Sequence, residues 1–183
     1  RVGVWNINDH SLVIMLEGHN DWVSDVSWFP NGTQALSASW DGTVIHWDLN
    51  SESEPIMRVF EGHQGGVMQV TVADDGLTAL SGSRDSGVFL WDIDNGEPVR
   101  VLQGHSDDVI SLEWTDGHTR AYSASYDGTV RYWRVFIDEV PEDDVTEGVP
   151  IEKDNEKVGD ITVPATSFPT GVTEISGQVT YID

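Results

Sequence analysis

Short runs of alternating apolar and polar residues cover most of the chain, and turn residues separate them. Residues 23–29 alternate with the period of a strand that buries one face. Pro30-Asn31-Gly32 then breaks the run, because proline presets φ and glycine takes φ above zero. A second strand is predicted over 35–39 and a hairpin turn of the favoured Asp-Gly kind at Asp41-Gly42. A third strand follows over 43–49, then a loop and a fourth strand over 56–60. The order returns as strands 67–73, 77–82, 88–93 and 99–102, with turns at Asp74-Asp75-Gly76 and Asp85-Ser86-Gly87. It returns again as 109–115, 120–124 and 129–135, with turns at Asp116-Gly117 and Asp127-Gly128 and the fourth strand assigned to 136–140. Residues 2–7 and 12–16 take the places of the third and fourth strands of a preceding unit.

The three units share one register. Each opens on Gly-His (Gly18-His19, Gly62-His63, Gly104-His105) and reaches a Trp 28 positions after the His (Trp47, Trp91, Trp133). A Ser lies 18 after each His (Ser37, Ser81, Ser123) and an Asp 22 after it (Asp41, Asp85, Asp127). Apolar residues recur at +4 (Val23, Val67, Val109), +7 (Val26, Val70, Leu112) and +9 (Trp28, Val72, Trp114). The units start 44 and then 42 residues apart, and such a period with GH and WD marks is the signature of propeller blades. The chain resembles the WD-repeat β-propeller family over roughly residues 2–135. The expected fold is all-β, in blades of four antiparallel strands, with an incomplete ring. The expected units are 1–17 (half a blade), 18–60, 61–102 and 103–140. The last is end-like, because Arg134 replaces the Asp of WD and His118 stands where the others have Gly32 and Gly76.

His, Ser and Asp together invite comparison with a hydrolase triad. Three copies locked to the repeat period argue against it, since one active site needs one triad. The resemblance implies instead a hydrogen-bonded chain Trp–Ser–His–Asp inside each blade, which pairs buried polar groups and specifies one packing. It also implies no catalysis and a rim that binds protein or peptide partners. The rim positions are +3 and +5 from the His and the residue before the Asp: Trp22, Ser24 and Trp40; Gly66, Met68 and Arg84; Asp108, Ile110 and Tyr126. Trp, Tyr and Arg are favoured at interface hot spots. Trp40, Arg84 and Tyr126 are the expected anchors.

Composition narrows the partners further. The 183 residues carry a formal net charge of -23 and no cysteine, so disulfides are excluded. Residues 1–136 hold 20 acids and 7 bases, and 137–183 hold 12 acids and 2 bases. Nucleic acid and anionic membrane surfaces call for basic patches and are not expected partners, and there is no run suited to membrane insertion. Neither Asp74-Asp75-Gly76 nor the acidic stretch after Asp138 has the ligand spacing of a calcium loop, and His10, His46 and His118 follow no zinc pattern. No metal or cofactor is expected. Residues 141–160 read as an acidic linker and 161–183 as a β-like tail that matches no blade. The chain is read as part of a longer polypeptide or a multiprotein assembly. Two alternatives remain. One is a binding module of a multidomain enzyme or envelope electron-transfer protein, with a c-type cytochrome domain after the tail. The other is a structural subunit that closes by self-association through its open strand edges.

Overall fold

A computed structural model describes residues 1–50, 55–115 and 118–135, together with the backbone of 179–182. It is built of strands. β1 (Val2–Trp5) and β2 (Leu12–Leu16) form an antiparallel pair. β3 (Val23–Trp28), β4 (Gln34–Ser39), β5 (Val44–Asp48) and β6 (Ile56–Phe60) form a four-stranded antiparallel meander. β7 (Val67–Val72), β8 (Thr78–Ser83), β9 (Val88–Asp92) and β10 (Pro98–Leu102) repeat it. β11 (Val109–Trp114), β12 (Arg120–Ser125) and β13 (Val130–Arg134) begin a third. Its fourth place is taken by β14 (Val179–Ile182), which runs parallel to β13. Residues 136–140, expected in that place, lie outside the described residues, as does the linker 141–160. The backbone of 179–182, within the β-like tail 161–183, thus joins this sheet.

The sheets stack face to face, and the apolar face of each strand run fills the space between neighbours. Leu16, Ile45 and Trp47 join the β1–β2 pair to the first meander. Leu36, Val44 and Phe60 meet Val67, Val70 and Trp91 between the first and second. Leu80, Val88 and Leu90 meet Val109, Leu112 and Trp133 between the second and third. β8 is therefore buried at every position, whereas β12 alternates buried with exposed, because Arg120 and Tyr122 face no further described sheet. The first sheet is open at its inner edge. Val26 is 39% exposed, while its equivalents Val70 and Leu112 are 2% and 1% exposed. The pair β1–β2 packs over β5 and leaves the Val26 side of β3 uncovered, so the described strands form an unclosed ring.

The turn at Asp41-Gly42 differs from the expected two-residue form. Gly42 N–H donates to the Ser39 carbonyl at 3.1 Å and Ser39 N–H to the Thr43 carbonyl at 3.2 Å. The loop thus has three residues, with only Gly42 (φ 86°) left-handed. Gly128 repeats this at φ 82°, but the second unit places Ser86 there at φ 65°, a conformation unfavourable to a side chain.

Candidate functional site

The β3–β4, β7–β8 and β11–β12 registers bring each His, Ser, Asp and Trp together. His Nε2 lies 2.7 Å from Ser Oγ in all three units: His19–Ser37, His63–Ser81 and His105–Ser123. His Nδ1 lies 3.1 Å from Asp41, 2.8 Å from Asp85 and 2.8 Å from Asp127. Trp47, Trp91 and Trp133 donate their indole N–H to the same Ser oxygens at 2.9, 2.7 and 2.7 Å. The indole can only donate, so each Ser accepts from Trp and gives its own proton to His Nε2. The His then carries its proton on Nδ1 and donates to Asp. Each of these Ser is buried and engaged on both sides, so none of the three hydroxyls is open to a substrate.

Each Asp also ties the opening loop to the following turn. Asn20, Gln64 and Ser106 donate their backbone N–H to Asp41, Asp85 and Asp127. Thr43 and Thr129 add hydroxyl and backbone donors, while the second unit offers only the Gly87 N–H at this place. Burial pushes the Asp41 carboxyl up, but Thr43, Asn20 and His19 outweigh it and bring it down to about 2. Burial opposes likewise at Asp85, where His63, Gln64 and Gly87 bring it down to about 2. Asp127 is held well below the usual carboxylate range against burial by Thr129, His105 and Ser106. Burial lowers His105, despite the pull of Asp127 in the other direction. The Thr at +24 were legible as a recurrence in two of three units, but sequence reasoning did not use them.

Of the expected rim positions, Trp22, Trp40, Gly66, Arg84, Asp108 and Tyr126 lie in the loops these networks hold, whereas Ser24, Met68 and Ile110 stand in β3, β7 and β11. Within each unit the +3 carbonyl accepts the backbone N–H of the residue before the Asp: Trp22 from Trp40 at 2.9 Å, Gly66 from Arg84 at 3.0 Å, Asp108 from Tyr126 at 3.0 Å. The indoles of Trp22 and Trp40 meet at a 39° tilt with centroids 5.1 Å apart. The Arg84 guanidinium lies 5.4 Å from the Trp40 ring centroid and 3.2 Å from Asp108. Gly66 permits this approach, since a Cβ there would come within 3.1 Å of the Trp40 Cα. A continuous band results, running Trp22, Trp40, Arg84, Asp108, Tyr126 across three sheets. Trp22 is 71% exposed and Tyr126 65%. The remaining positions differ in character. Met68 and Ile110 are half-buried, and the Ser24 hydroxyl is engaged with the Val67 carbonyl at 2.6 Å.

Sequence reasoning missed a second set of side chains that join the sheets. Asp25 accepts the Val70 backbone N–H at 3.1 Å, and Gln69 accepts that of Leu112. Both stand at +6 from the His, and the third unit has Ser111 there. A polar residue at +6 in every unit, between the apolar +4 and +7, was the available signal.

Comparison with known proteins adds the following. A family model for the WD domain, G-beta repeat, matches residues 10–48, 54–92 and 96–134. Small ribosomal subunit protein RACK1y of Oryza sativa subsp. japonica is 44% identical over 48 residues, 26% of this chain and 14% of that protein. Lissencephaly-1 homolog 1 of Paramecium tetraurelia is 33% identical over 54 residues, 30% of this chain and 13% of that protein. The matched stretches are thus a small part of either relative's length.

Proposed function

The chain belongs to the WD-repeat family of β-propeller proteins, and from that membership we propose a non-catalytic protein-interaction scaffold that engages its partners on the rim of the stacked sheets. The observation that carries this reading is the exposed band of two Trp, one Arg and one Tyr. These residue types anchor interfaces; backbone hydrogen bonds that recur within each unit hold their loops, and Arg84, between Trp40 and Asp108, links the sheets. An exposed aromatic patch on a chain of net charge -23 is not needed for solubility. The tetrads serve this role indirectly. They hold the loop and turn of each unit at fixed spacing, so the rim is preorganised and little ordering entropy is lost on binding. The test is affinity capture with the native polypeptide and a Trp40→Ala/Tyr126→Ala variant of matched thermal stability. The expected result is loss of proteins that the unsubstituted chain retains. Retention of every partner by the variant contradicts the reading.

A further inference from the structure

We propose that this rim takes an extended basic peptide segment, with the open face of Trp22 seating a guanidinium or ammonium group beside Asp21. The inference rests on the rim-binding reading above and adds the chemistry of the partner. The structure contains its own template for the contact. Arg84 lies against the Trp40 ring on one side and the Asp108 carboxylate on the other. An indole face attracts a cation through its quadrupole, and the aliphatic stem of the side chain covers apolar ring area. Trp22 offers an exposed indole with the Asp21 carboxylate next to it in sequence. Its ring contacts Trp40 at a tilt while the residue stays 71% exposed, and the neighbouring Asp21 carboxylate accepts the Trp22 backbone N–H at 2.8 Å.

Charge selects the class of partner. The opening loops 18–22, 62–66 and 104–108 and the turns 40–43, 84–87 and 126–129 carry six Asp and one basic residue, Arg84. The three tetrad carboxylates among them are held below their ordinary range and stay ionised at neutral pH. The one guanidinium is already paired. An acidic segment would meet only like charge, whereas a basic one gains from both the field and the indoles.

The test is fluorescence anisotropy of the native polypeptide with three labelled peptides of equal length, alternating Ser with Arg, Glu or Gln. The Arg peptide is expected to bind, and Trp22→Ala to weaken it about five- to tenfold at unchanged thermal midpoint. Diffuse attraction to an acidic chain would leave Arg-peptide binding unmoved by Trp22→Ala, and that result overturns the proposal. If the Glu peptide binds instead in a Trp22-dependent way, the rim reading stands and the basic class is wrong. If no peptide's binding responds to Trp22→Ala or Trp40→Ala, both readings fall.

Discussion

Asp85 shows most clearly what one side chain does for the fold. It accepts from His63 at 2.8 Å and from the Gln64 backbone at 2.8 Å, and the second unit lacks the Thr that assists Asp41 and Asp127. Replacing it by Ala leaves a buried His63 N–H without its acceptor and frees the opening loop. The expected cost is about 1–3 kcal/mol, read as a lowered urea or thermal midpoint. The pH dependence carries a sign. The folded carboxyl titrates at about 2, below its unfolded value. Its stabilisation is therefore complete above the ordinary Asp range near ~4 and is lost as pH falls through the folded value. The stability gap between the native chain and Asp85→Ala should be constant from neutral pH down to that range and close below it. A gap that is absent at neutral pH, or undiminished in acid, contradicts this account.

At the scale of strands and sheets, most of the architecture is legible in the sequence because the His and Asp marks sit at loops and turns and the Ser and Trp marks inside strands. His, Ser, Asp and Trp fix four points per unit, and period-2 alternation fills the strands between them. Three features were not legible. The turn at Asp41-Gly42 takes a third residue, since the two-residue form needs two left-handed positions and only Gly42 is left-handed. The fourth strand of the third sheet comes from Val179–Ile182, a pairing distant in sequence that local pattern cannot announce. The links between sheets depend on side chains that local periodicity treats as solvent-facing. Asp25 is the test of those links. Removing its carboxylate orphans the Val70 N–H at the junction of the first two sheets. Asp25→Ala is expected to cost about 1 kcal/mol and to speed hydrogen exchange at Val70. Unchanged exchange there would show that the link is incidental.

For the whole molecule, stacking and exposure tell different stories about the same residues. The sheets bury Trp47, Trp91 and Trp133 in the tetrads, but leave Trp22 and Trp40 in solvent at the loops. The positions of the rim residues were legible from the repeat offsets. Their joining was not, because it depends on Gly66 admitting Trp40 and on Arg84 bridging two units. On the proposed reading the sheets act as a frame and the rim as the working surface. The most direct measurement is site-specific photo-crosslinking of the native polypeptide. A photoreactive residue would be placed at position 22 on the rim, or at position 99 on β10, where Val99 is 49% exposed on an outer strand. Partner crosslinks from position 22, with few from position 99, are the predicted result. Crosslinks from position 99 with none from position 22 would contradict the claim that the rim carries the function.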